Sequence, residues 1–301
     1  MSIGFPWYIV EGDINLDNFN KFKTEDRGFI WRGYTYNYQM IPSAANYNQY
    51  NECTTEERTN NCYPLTEIKR ISQKIYELNK LQRFPFEIPL IIRRILFSSF
   101  YQPEDKVFNE MNITEFPDSS LVQSMSIVQH EFGGTSLLDF STNKYKALYF
   151  AIGKKEMYSK DSYIFGLNVP YFETNKNNRM EDIFSKYKDT FDLIYPSYYK
   201  NKRIAHQEGM FLYQKFIISK NCNSEKKYEN IIEYFSERFN EDKSNGQKLF
   251  EKISIDKFLE KTEKEGDKPI FYILLKIPAK EKELLKTFLN TIGITDNFMM
   301  N

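Results

Sequence analysis

Cysteine is scarce in this chain: Cys53, Cys62 and Cys222 are the only three in 301 residues, and no two are spaced as C-x-x-C. That odd set argues against a disulfide framework, a dithiol redox pair and a thiolate zinc site, and leaves buried or idle thiols. Excess charge of one sign is missing too. The 41 basic residues cancel the 41 acidic ones, so no global field marks a general binder of nucleic acid or acidic membrane. No apolar run approaches membrane-spanning length. The opening MSIGFPWYIVEGDI lacks the basic region, long apolar run and small-residue cleavage site of a leader. The expectation is a cytoplasmic protein with no membrane contact. G-x-G-x-x-G, P-loop, G-x-S-x-G and zinc-ligand spacings are all missing as well. This sets aside Rossmann dehydrogenases, P-loop NTPases, α/β-hydrolases and zinc enzymes, and no metal is expected.

What is present is an ordinary globular balance, 41% hydrophobic and 27% charged, with 17% aromatic residues expected mainly to fill core. Along the chain, a YIV strand precedes the strand-like FIWRGY at 29–34, with Arg32 near its end. The Asn-rich residues 43–65 read as a loop insertion. After Thr66, Ile68, Ile71, Ile75, Leu78 and Leu81 recur at helical spacing, and the apolar stretch 86–100 carries Arg93 and Arg94, which read as a solvated face ahead of the alternative, a phosphate contact. Residues 124–155 read as a helix, a Gly-Gly turn, a short LLDF strand and a helix capped by Ser141, Thr142 or Asn143. Strands follow at 163–169 and 211–218. Then come a helix near 225–239, a strand at 248–255, a short charged helix, a strand at 269–277 and a helix at 279–291. Regular βαβ spacing is missing, so the pattern predicts one α+β domain over 1–301 rather than a doubly wound sheet.

The chain has two histidines, and each adjoins a glutamine: His130 follows Gln129 just before Gly133 and Gly134, and His206 precedes Gln207, Glu208 and Gly209. Three blocks around these positions carry a family resemblance. FIWRGY holds Trp31, Arg32 and Gly33 as an aromatic-Arg-Gly motif. VQHEFGGTSLLDFSTNKYKALYFA at 128–151 is similar, without a gap, to A-Q-H-Y-G-L-P-T-R-L-L-D-W-T followed by A-L-Y-F-A. RIAHQEGMF matches R-x-x-x-Q-x-G-x-F through Arg203, Gln207, Gly209 and Phe211. In content and order these blocks resemble the FRG domain family. The chain departs from that pattern at Gly134-Thr135-Ser136, where the family has Pro-Thr-Arg, and at Glu131-Phe132, where it has Tyr-Gly.

The LLDFST-x4-ALYFA segment also looks like the Ser-Thr-Ser strand and following helix of ADP-ribosyltransferases. That second resemblance implies a mixed, split antiparallel sheet with flanking helices, NAD as substrate, and ADP-ribose transfer to an acceptor of unknown class (protein, nucleic acid or nucleotide) or to water. A role as toxin or anti-phage effector would fit the family's bacterial setting. The resemblances place Arg32, Gly33, Gln129, Thr135, Ser141 and Thr142 at the cofactor, and Tyr145 or Tyr149, four apart on one helix face, is placed by spacing to stack on its ring. Arg32 would act through its forked guanidinium. Glu208 is the acid to stabilise an oxocarbenium-like ribose. Gln207 is the neighbour that the family shares, and the expected strand alternation puts only one of the two in the pocket. His130 oriented by Asp139 forms a second candidate, a general base. Each residue has a plainer reading as well: a strand-end ion pair for Arg32, helix capping for Ser141 and Thr142, a buried scaffold for His130 and Asp139. The alternative is a non-catalytic module of the same fold that binds a nucleotide, nucleic acid or phage protein.

Overall fold

Runs of Ile, Leu, Phe and Tyr with two-residue alternation assemble into one eight-stranded sheet carrying helices. The structure is a computed structural model that describes residues 7–22, 28–35, 126, 129, 135, 137–168, 191–194, 202–214, 232, 250–265 and 269–300. The loop expected at 43–65, the helix expected at 66–81, the apolar stretch 86–100, the three cysteines, and all but Ile232 of the helix expected at 225–239 lie outside the described residues.

The strands are β1 (Trp7–Asp13), β2 (Phe29–Thr35), β3 (Leu137–Ser141), β4 (Ser162–Asn168), β5 (Phe191–Ile194), β6 (Gly209–Gln214), β7 (Phe250–Ser254) and β8 (Ile270–Ile277). The helices are α1 (Leu16–Lys21), α2 (Lys144–Ile152), α3 (Lys202–His206), α4 (Ile255–Glu265), α5 (Lys282–Thr291) and α6 (Asp296–Met300). The helix expected from 279 opens with a 3-10 turn, Ala279–Glu281, before α5. Among the described residues no helix is long and apolar enough to cross a membrane.

The strand order is β5-β6-β3-β2-β4-β8-β1-β7. The sheet is mixed, as expected: β1 runs parallel to β7 and β8, and the other pairs are antiparallel. The parallel corner comes from a crossover, β7 to α4 to β8, that places β1 between its two strands. The expected split is not seen: the eight strands form one continuous sheet, whose sparsest junction is a seam between β2 and β3. β2 pairs with β4 along all of Phe29–Thr35 but meets β3 at one position, Trp31 opposite Ser141.

Alternation sends β2 residues to two cores. Phe29 and Trp31 join Val10, Ile164, Ile273, Ala147, Leu148 and Leu285 under the helices. Ile30 joins Leu138, Phe140, Phe165 and Leu212 on the other face. Two glycines permit this packing. A Cβ on Gly166 would come 2.5 Å from the Trp31 ring, which lies across β4 at that register pair. A Cβ on Gly33 would come 1.9 Å from the Ala147 carbonyl oxygen, because α2 rests directly on the β2 backbone.

Helix α2 is anchored by groups that solvated helix faces usually display. Lys144 is buried, and its Nζ donates to the Phe22 and Phe19 carbonyl oxygens at 2.6 and 3.3 Å, where α1 ends. The Tyr149 hydroxyl donates to Asp296 Oδ1 at 2.8 Å, and Lys286 Nζ donates to the same oxygen at 2.7 Å. These bonds, Lys286 first and Tyr149 second, hold the Asp296 carboxyl below its ordinary value of 3.8. The attachment of α6 is therefore complete above that value and is lost as pH falls through the lowered one. Since Asp296 is exposed, Asp296→Asn is expected to cost less than about 1 kcal/mol of global stability. Its measurable effect is faster hydrogen exchange of the α6 amides at neutral pH, a loss that the native chain shows only in acid.

Candidate functional site

Where β2 and β3 part, the structure leaves a cavity of about 330 Å³. β2 lines it with residues 31–35, β3 with Asp139, Phe140 and Ser141, and α2 with Ala147 and Phe150. Gln129 and Gln207 complete the wall. Six residues singled out from the sequence thus share one cavity: Arg32, Gly33, Gln129, Asp139, Ser141 and Gln207.

A polar network ties the two sides of the seam. Arg32 Nη1 donates to the Asp139 main-chain oxygen at 2.6 Å and stands 3.7 Å from Asp139 Oδ2. The other contact to Oδ2 comes from Gln129 Nε2, at 3.0 Å. Gln129 is held in turn by Thr135, whose Oγ1 and N–H donate to Gln129 Oε1 at 2.7 and 3.2 Å. Thr135 is fully buried, and its Oγ1 accepts from Leu137 N–H at 3.2 Å, so it braces the network from behind the cavity. Asp139 Oδ1 is buried and has no hydrogen-bond partner among the described residues.

Tyr34 brings a second kind of wall. Its ring stacks on Tyr163 at 5.5 Å and 20°. Burial, with a contribution from Tyr163, pushes its hydroxyl well above the ordinary value, and Arg32 offsets part of that rise. The hydroxyl therefore stays protonated through the physiological range.

Gln207 and Glu208 are not on a strand, so the expected alternation of faces does not apply to them. They form the turn between α3 and β6, with Glu208 N–H donating to the Ala205 carbonyl at 3.0 Å and Glu208 in the left-handed region at φ 48°. The turn separates the two side chains. Gln207 is buried and lines the cavity, and its carbonyl oxygen accepts from Ser141 Oγ at 2.7 Å. Glu208 points elsewhere: Lys146 Nζ donates to its Oε1 at 2.7 Å and Thr142 Oγ1 to its Oε2 at 3.3 Å. Lys146 is almost fully buried and also donates to the His206 carbonyl oxygen. Glu208 and Thr142 therefore sit outside the cavity wall, bound to each other and to a lysine.

Tyr145 also lies elsewhere. It packs edge-on against Phe19 and tilted against Phe288, with its hydroxyl 3.5 Å from Asn20 Oδ1. A ring so enclosed by α1 and α5 does not line the cavity, and the aromatic groups that do are Trp31, Tyr34, Phe140 and Phe150. Of the three cap candidates, Asn143 caps α2 by accepting from Tyr145 and Lys146 N–H. His130 lies outside the described residues. Sequence reasoning missed Tyr34, Thr35 and Phe150. The first two follow directly after the Arg-Gly pair on β2, and Phe150 stands one helical turn beyond Ala147, so spacing alone was enough to find them. Among the described residues no cluster of His, Cys, Asp or Glu is placed to hold a metal.

The family model of the FRG domain matches residues 27–160, which takes in β2 and the whole 128–151 block and ends before the Gln207 turn. No curated protein and no solved structure matches the chain.

Proposed function

Proceeding from an FRG domain at residues 27–160, we propose that this protein is an ADP-ribosyltransferase-like enzyme that cleaves NAD and passes ADP-ribose to an acceptor or to water. The observation that supports this best is the meeting of Arg32, Asp139 and Gln207, from three separated segments, in one cavity at a seam in the sheet. With Glu208 bound to Lys146 outside that cavity, the carboxylate of the reaction is assigned to Asp139. The bond between ribose C1′ and the nicotinamide nitrogen breaks, and the electron pair leaves with nicotinamide. Asp139 stabilises the positive charge that develops on the ribose, and the acceptor then bonds to C1′ and releases a proton. The volume suits one nucleoside-sized half of a dinucleotide between aromatic walls. A role as toxin or anti-phage effector is consistent with such an activity.

The test is nicotinamide release from NAD by purified protein, with and without a lysate of candidate acceptors. Release is expected from the native chain. Asp139→Asn should reduce it at least about tenfold, and Glu208→Gln should leave it within about threefold, once melting confirms that each variant is folded. The opposite pattern would return the acid to Glu208. No release, with no rise in Tm on adding NAD, would leave the second reading, a non-catalytic module that binds a nucleotide, nucleic acid or phage protein. That reading is favoured by the engagement of Asp139 with Arg32 and Gln129 as a scaffold.

A further inference from the structure

Gln207 lines the cavity and is held by an element outside it. It is 7% exposed, and its side-chain Nε2 donates to the Met299 carbonyl oxygen of α6 at 3.3 Å. A carbonyl oxygen accepts only from the NH₂ end of an amide, so this contact sets the side chain with Oε1 as its remaining group. Oε1 has no hydrogen-bond partner among the described residues. Asp139 Oδ1 and Thr35 Oγ1, from two other residues of the wall, are buried without a hydrogen-bond partner among the described residues. The Arg32 guanidinium is engaged by Asp139 through both its main-chain oxygen and its carboxylate. The wall therefore offers oxygens that only accept, Gln207 Oε1 and the Asp139 carboxylate Oδ1, beside the Thr35 hydroxyl, which accepts or donates, and the buried Arg32 Nε–H. A buried acceptor left unmet is costly, and an entering ligand gains most by bringing a donor to it.

α6 supplies the contact that makes Gln207 an acceptor-presenting residue, and its attachment is independent of the cavity. Asp296 is gripped by Lys286 and Tyr149, and the Phe298 ring stacks on His206 at 5.2 Å and 21° and lies under Lys146 Nζ at 5.3 Å. We infer that α6 belongs to the site as its positioning element. Through the Met299 carbonyl it fixes Gln207 so that the cavity takes a group carrying N–H donors and discriminates against the acidic counterpart that lacks them. This deepens the NAD reading by naming what the cavity recognises in the ring it encloses, and it rests on that reading only for the choice of probes.

The experiment titrates the full chain with two matched pairs, nicotinamide against nicotinate and benzamide against benzoate, by calorimetry. The amide of each pair is expected to bind at least about tenfold more tightly. Gln207→Met keeps the length of the side chain and removes the acceptor, and should bring the ratio to within about threefold. Asp296→Lys, which sets α6 against Lys286, should lower the ratio as well while Gln207 itself is unchanged. Equal binding or a preference for the acid by the native chain overturns the inference. So does a ratio that survives Gln207→Met, or no amide binding at millimolar concentration. Nicotinamide release separates the two readings. If release is lacking while the amide preference holds, the enzyme reading alone fails. If release occurs without the preference, the inference alone fails.

Discussion

Replacing Gly33 by alanine is expected to destabilise the protein by about 3 kcal/mol or more, at the upper end of what overpacking costs. The added Cβ would lie 1.9 Å from the Ala147 carbonyl oxygen and 2.6 Å from the Ala151 nitrogen. Both are backbone atoms of α2, so no rotamer change relieves the clash and the helix itself must move. It is poorly placed to move, since Lys144 ties it to α1, Lys146 to Glu208, and Tyr149 to Asp296. Denaturant unfolding followed by fluorescence should report the loss directly, with a fall in Tm of roughly 6–12 °C. A neutral result would mean that α2 does not rest on β2 here and that Gly33 serves a ligand instead. The close approach also accounts for glycine after Arg32 without invoking a cofactor.

Loss of Arg32 should act on both stability and activity. Arg32→Ala removes the charge-assisted bond to the Asp139 carbonyl and the cation beside its carboxylate, at the seam where β2 and β3 share a single register pair. A bond of this kind contributes about 1.5–3 kcal/mol, and the partly exposed ion pair adds little. Under the proposed function, nicotinamide release should fall at least about a hundredfold, since the network that aims Asp139 goes with it. Arg32→Lys restores the charge but not the planar fork, and should recover less than half of the stability. If Arg32→Ala unfolds the chain no more easily than the native protein, the seam is held by something other than this contact. Comparing denaturation midpoints with turnover separates the two effects.

The elements that could be read from the sequence were those whose signal is local. β2, β4, β7 and β8 follow from alternating β-branched and aromatic runs, and β3 with α2 from LLDF followed by a capping residue. Four short elements escaped, among them the five-residue helices α3 and α6. α1 is six residues long and rests on a reciprocal cap between Asn15 and Asn18, and β5 is a four-residue edge strand inside what reads as a polar stretch. Burial of Lys144 was not readable, because its partner carbonyl at Phe22 lies 122 residues away in the chain. The same distance effect hides Gly33, whose constraint is a helix much later in sequence. In the site, Arg32, Gln129, Asp139 and Gln207 were identifiable by type and motif. Choosing between Gln207 and Glu208 depended on a turn with positive φ that strand alternation does not anticipate.

By its strand pairing, the sheet that carries the cavity is built as two panels joined along a hinge line. Five strands lie on one side of the joint and three on the other, and a single register pair crosses it, against seven at the next junction. Such a plate gives way along its thinnest line, and the β3–β6–β5 panel is the unit that would swing. Local opening there exposes few backbone bonds and so requires less free energy than separating β2 from β4. A molecule seated in the cavity against both Arg32 and Asp139 would span the hinge, and its occupancy would be felt throughout the protein as stiffness.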